Sequence, residues 1–205
     1  MNEFYLYGAS GHCKVIIDMI LRNGGNVVKV FDDNKATKEI LNIKVSSGFN
    51  QDEVKGNLII SIGNNQIRKK IAESIQKDVF CKLIHPNAIV DASVDIAKGS
   101  VVMAGAIINS SVKIGKHCII NTASSIDHDC VIEDYVHVSP NSTLCGNTRV
   151  GEGSHVGAGS VIIQGVTVGK NVTIGAGSVI ISDVPDNVTI VGNPGKIIKK
   201  KKYEI

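Results

Sequence analysis

From Val90 onward an aliphatic residue recurs at every sixth position. Val90, Ile96, Val102, Ile108, Ile114, Ile120, Ile126 and Ile132 lead without a slip to Val138, Leu144, Val150, Val156, Ile162, Val168, Ile174 and Ile180. Two residues before each stands a small or β-branched residue, from Ala88 through Ser124 and Cys130 to Ser178. Sixteen consecutive hexads form a structural repeat, and a parallel β-helix satisfies it. The aliphatic residue points inward and stacks on its equivalents. The small residue two positions earlier also points inward and lets the chain turn. Glycines in IGK, VGE, VGA, VGK and IGA relieve the corner backbone. Three hexads per coil place residues 18 apart in one column, and sixteen hexads give about five coils.

Residues 1–85 follow a different pattern. EFYLYGAS is a short apolar run entering a tight turn, and HCKVIIDMILRNGG carries apolar residues at helical spacing with a Gly-Gly stop. VVKVFDD and NLIISIG predict further strands, NQIRKKIAESIQK a helix, and CKLIHP a last strand of this section. The alternation predicts an α/β Rossmann-like domain over 1–85, followed by an all-β helix over 86–205 with a C-terminal cap and basic tail.

Composition narrows the function classes. Hydrophobic residues make up 43% and aromatics only 4%, so the core is built of Ile, Val, Ala and small side chains. A net charge of +3, much of the basic excess in KIIKKKKYEI, does not point to nucleic acid. No apolar run approaches ~18 residues, so no membrane span is expected. MNEFYLYGAS lacks a basic n-region and a signal-peptide core. Five cysteines without paired spacing fit reduced thiols, and a cytoplasmic location is expected.

Two regions hold candidate chemistry. In SSIDHDCVIEDYVHV, His128 follows the inward Ile126 by two residues and lies in outward phase, whereas Cys130 points in. His137 and His155 each precede an inward valine, face outward, and stand 18 apart in one column; the same arithmetic stacks Gly146 on His128. Any such histidine also fits plain surface exposure. His85 fits a packing role between the sections, and His117 an exposed corner. In the first section, GASGH lies between strand and helix, where free N–H groups attract phosphate. Asp32 and Asp33 end the second strand, where a Rossmann-like sheet places a carboxylate near ribose or base. Gly63 and Asn64 form a second turn at the same sheet edge. Either turn also fits an ordinary tight connection.

The hexads resemble those of hexapeptide acyltransferases, whose β-helix is left-handed. YLYGASGH, FDD, SIGNN, SSIDHDCVIEDYVHVSP and IVGNPGKII together resemble one branch. It comprises sugar acyltransferases of the sialic acid O-acetyltransferase and UDP-4-amino-sugar N-acetyltransferase type. Gly195 departs from the alanine of the branch's closing VGxPAK. The resemblance implies a homotrimer with acetyl-CoA in the groove between prisms, a contact that an outward Tyr135 fits. It implies His128 as general base with Asp129 orienting its ring, Asp being one methylene shorter than the Glu of some members. Gly146 N–H is the candidate oxyanion donor. His137, Gly146, His155, Ala158, Ala176 and Lys196 would meet the cosubstrate, and Lys196 and Lys199–Lys202 its phosphates, although those last four equally fit a solvated tail. Gly8, Ser10, Gly11, His12, Asp32, Asp33, Gly63 and Asn64 would hold a UDP-sugar.

The implied reaction is N-acetylation of a UDP-4-amino-4,6-dideoxy sugar for bacterial glycan synthesis. The same fold also performs O-acetylation of sialic acid or another sugar. A γ carbonic anhydrase-like zinc enzyme needs closely spaced histidines, but His128 to His137 is nine residues and His137 to His155 eighteen, so no metal is expected. A non-catalytic scaffold is a third reading.

Overall fold

The computed structural model describes residues 2–200. Residues 3–74 form an α/β unit: β1 (Glu3–Tyr7), α1 (Gly11–Arg22), β2 (Asn26–Asp32), β3 (Glu39–Ile40), β4 (Ile43–Ser47), β5 (Asn57–Ile60) and α2 (Asn65–Ser74). The sheet order is β3-β4-β2-β1-β5, parallel except for the β3–β4 pair. β1 lies between β2 and β5, so its C-terminal turn, GASGH, opens beside their ends.

The hexads form a parallel β-solenoid of two-residue strands on three faces. Coil-to-coil pairs lie 18 residues apart and in register, as in Ile108↔Ile126, Ile126↔Leu144 and Leu144↔Ile162. Both predicted inward sets are buried: the aliphatic column from Ile96 to Ile180, and the small residues from Ser100 to Ser178. The inward serines bridge coils. Ser154 Oγ donates to the Gly169 carbonyl and accepts from Val172 N–H, at 2.7 and 2.9 Å.

Corners follow the same 18-residue rule but use more than glycine. Ser111, Asp129 and Asn147 form one corner column with φ of 63°, 60° and 57°. Asn and Asp tolerate this left-handed backbone better than other non-glycine residues.

Leu83–Ile84, within CKLIHP, pairs with Val101–Val102 in the solenoid and not with the α/β sheet. The C-terminal strand Lys196–Lys200 runs antiparallel to Val188–Val191 and closes the solenoid end.

The α/β unit sits on the third solenoid face. Along that face one outward column runs Leu83, Val101, Ile119, His137, His155, Thr173, Thr189. Leu83, Val101 and Ile119 pack into one core cluster with Phe4, Leu6 and α1. The column turns polar at His137.

Candidate active site

The first cleft lies at a solenoid corner. His128, Asp127, Cys145, Gly146, Asn147, Gln164 and Gly165 line a space of about 550 Å³. His128 Nδ1 lies 2.8 Å from Asp129 Oδ2, so the shorter carboxylate reaches the ring. That bond, above all, raises the His128 pKa above its ordinary value, with Asp127 adding to it. Asp129 accepts a hydrogen bond from Nδ1–H, which leaves the Nε2 lone pair free. A Cβ on Gly146 would sit 2.7 Å from His128 Cε1 and Nε2, so only glycine lets the imidazole lie against this backbone. The Gly146 N–H donates no hydrogen bond among the described residues.

Asp127 escaped the sequence reading. Its Oδ1 accepts from His128 N–H at 2.9 Å and from Asn109 Nδ2 at 2.8 Å. The Asn109 bond, one coil away, is the main reason its carboxyl stays below the usual range. The 18-residue column 109–127 could have revealed this pair.

The second cleft, of about 530 Å³, lies where the α/β unit meets the solenoid. Gly63, Asn64, Asn65 and Gln66 form one wall, and His137, Gly153, His155, Asn171 and Thr173 the other. His137 and His155 stack with centroids 4.7 Å apart and planes 7° apart. Asn121 Nδ2 meets His137 Nε2 at 3.0 Å, and Ser139 Oγ meets His155 Nε2 at 2.7 Å. Burial, reinforced by His155, pushes the His137 pKa down to about 3. His12, at the first turn of α1, is pushed down to about 4, chiefly by burial and then by Arg68.

One chain therefore divides the expected cosubstrate residues. Gly146 joins His128 in the corner cleft, whereas His137 and His155 share the junction cleft with Gly63 and Asn64. Ala158 and Ala176 are exposed in a third corner column, and Lys196 is exposed on the closing strand; none lines either cleft. Lys201 and Lys202 lie outside the described residues, whereas Lys199 and Lys200 are exposed.

The GASGH turn is built as a close approach. Gly8 has φ 113°, and a Cβ there would lie 2.5 Å from Ile62 Cγ1. Ser10 caps α1 by position without a side-chain bond, and Gly11 begins the helix with open space around its Cα. Asp32 holds the turn: Oδ2 accepts from Ala9 N–H at 2.6 Å and Oδ1 from Asn34 N–H at 2.7 Å. Asp33 is exposed and accepts from Tyr7 Oη at 2.8 Å, while the Tyr7 ring stacks on Phe49. Asp32 thus shapes the loop, whereas Asp33 stands exposed at the strand end.

Two expectations about outward residues fail. His117 is 5% exposed, held between Phe80 and Tyr135. Tyr135 is 9% exposed, covered by Ile60 and Ala72 of the chain's own α/β unit, so it offers no surface for a trimer contact. His85 is buried as expected, its Nδ1 accepting from Asn87 N–H at 2.9 Å. Among the described residues no cluster of three or more His, Cys, Asp or Glu could hold a metal ion.

Known proteins share this architecture. Residues 3–75 match the family model of the PglD N-terminal domain, and residues 147–182 that of the bacterial transferase hexapeptide (six repeats). A perosamine N-acetyltransferase variant from Caulobacter crescentus, solved with CoA and GDP-perosamine, is 33% identical with a TM-score of 0.92, over 98% of both chains. The acetyltransferase domain of PglB from Neisseria gonorrhoeae, solved with acetyl coenzyme A, is 35% identical with a TM-score of 0.88. That likeness covers 97% of this chain and 100% of the domain. UDP-N-acetylbacillosamine N-acetyltransferase of Bacillus subtilis is 40% identical over 122 residues, which span 51% of this chain and 52% of that relative. With its α/β unit and hexapeptide solenoid in one continuous likeness, the chain belongs to the PglD-type family of hexapeptide-repeat sugar acetyltransferases.

Proposed function

We propose that this protein transfers the acetyl group of acetyl-CoA to the amine of a UDP-linked 4-amino-4,6-dideoxy sugar in bacterial glycan synthesis. The observation that carries the reading is the His128 imidazole, bonded to Asp129 through Nδ1 and lying against the Gly146 backbone. The sugar amine attacks the thioester carbonyl. His128 Nε2 takes the proton that the amine loses, and Asp129 stabilises the resulting imidazolium. Gly146 N–H donates to the oxyanion of the tetrahedral intermediate. As the C–S bond breaks, the imidazolium returns its proton to the departing thiolate. Products are the amide and CoA.

The nucleotide sits at the GASGH turn, its phosphates at the start of α1 and its uridine near Asp33. The α1 N-terminus supplies unpaired N–H groups for phosphate. Because one chain keeps its two clefts on different corners, a neighbouring copy in a homotrimer completes the site. The reducing cytoplasm suits five free cysteines.

The test follows thiol release from acetyl-CoA with UDP- and GDP-linked 4-amino sugars, sialic acid and no acceptor. Turnover is expected with the UDP sugar, and the product is the N-acetyl amide. Preference for the GDP sugar overturns the assignment of uridine as the nucleoside. Turnover with sialic acid alone overturns N-acetylation.

A further inference from the structure

α2 joins the two parts of the chain along one face. Asn65, Arg68, Lys69 and Ala72, at helical spacing, all meet the solenoid. Lys69 pairs with Glu152, and Ala72 packs with Tyr135. Arg68 is 1% exposed, and every acceptor it meets is uncharged. Its Nε donates to the His117 carbonyl at 2.8 Å. Nη1 donates to the carbonyls of Ile62 and Gly63 at 3.0 and 3.1 Å. Nη2 donates to Asn65 Oδ1 at 2.8 Å and to the Tyr135 carbonyl at 3.0 Å. All five N–H donors of the guanidinium are used. Asn65 Nδ2 extends the network to the carbonyls of Gly153 and Ser154, each at 3.0 Å.

The carbonyls are not a random set. His117, Tyr135 and Gly153 are successive members of one corner column, with φ of 53°, 61° and 68°. Two residues further on lie Ile119, His137 and His155. Arg68 and Asn65 therefore grip three coils just ahead of the stacked histidines. The other carbonyls, of Ile62 and Gly63, carry the turn that ends in Asn64. One side chain thus fixes both walls of the junction cleft.

A buried cation with only neutral partners is expensive, and an apolar side chain of similar volume would fill the space at lower cost. What the guanidinium adds is a rigid planar fork that sets directions to carbonyls on two structural units. We propose that Arg68 is a positioning residue: it fixes the spacing between the 62–64 turn and the His137–His155 ladder, and so orients the nucleotide-bound sugar for transfer. The inference rests on the acetyltransferase reading above.

The test compares Arg68→Lys with wild type on two acceptors at saturating acetyl-CoA. One is the nucleotide-linked 4-amino sugar; the other is the methyl glycoside of the same sugar, supplied at high concentration. Lysine keeps the charge but loses the fork. A 1 Å misplacement costs on the order of 100-fold, so kcat/KM for the nucleotide sugar should fall by about that factor. Turnover of the glycoside, which gains nothing from the α/β unit, should stay within about twofold of wild type. An equal fall on both acceptors reveals a merely structural role and overturns the inference, as does no fall on either. Asn65→Ala, which cuts the arm to Gly153 and Ser154, provides a second variant should Arg68→Lys not fold. The same selective loss is expected, and unchanged selectivity overturns the inference. Failure of wild type to acetylate any nucleotide sugar overturns the acetyltransferase reading itself, and this inference with it.

Discussion

At the scale of single residues, the chemistry turns on one proton at His128. Asp129 raises the pKa of that imidazole through a 2.8 Å bond, so activity should fall on the acid side as His128 becomes protonated. Asp129→Asn removes the charge that favours the imidazolium. The acid limb of the kcat/KM profile should then move to lower pH, while kcat drops because the cation forming in the transition state loses its partner. A limb that stays in place would contradict the assignment. Gly146→Ala forces a methyl group against the ring; turnover should fall by on the order of 100-fold, with the melting temperature nearly unchanged. The stacking of His128 on Gly146 was legible from 18-residue arithmetic alone. The burial of His117 and Tyr135 was not. The repeat phase says that a side chain points out of the prism, but not what covers it there: here Phe80 lies against His117, and Ile60 and Ala72 cover Tyr135.

At the scale of elements, the outward column of the third face records where the α/β unit sits. Its apolar members, Leu83, Val101 and Ile119, lie under β1 and α1, and its polar members begin where the junction cleft opens. In a sequence, that change from Ile119 to His137 is a signal for a domain edge, visible only once the columns are known. The prism itself depends on its inward stack. Leu144→Ala should cost about 2–5 kcal/mol, because rigid coils above and below cannot collapse into the gap; urea denaturation measures this. Strand Asn26–Asp32 shows the limit of motif reading. The carboxylate pair at its end was legible, but the division of labour was not, since it depends on Asp32 turning back to Ala9 and Asn34.

For the whole molecule, burial at the junction has a consequence for pH. His12, His117 and His137 are held neutral, with pKa values near 4, 4 and 3 against an ordinary 6.5. The unfolded chain binds protons at these sites first. Stability is therefore complete above pH 6.5 and is lost as pH falls from 6.5 toward 4, and the melting temperature should drop steeply over that window. A flat profile there would contradict the buried, neutral histidines. Assembly is the other global property. Light scattering should give three copies per particle if a neighbour completes the site, and an active monomer would refute that. The central claim is acetyl transfer through His128, and single-turnover kinetics of wild type and His128→Ala with acetyl-CoA and the UDP-linked 4-amino sugar tests it most directly. The predicted result is a loss of on the order of 100- to 10,000-fold in the chemical step, with acetyl-CoA binding retained. A variant that transfers acetyl at the wild-type rate would contradict the account.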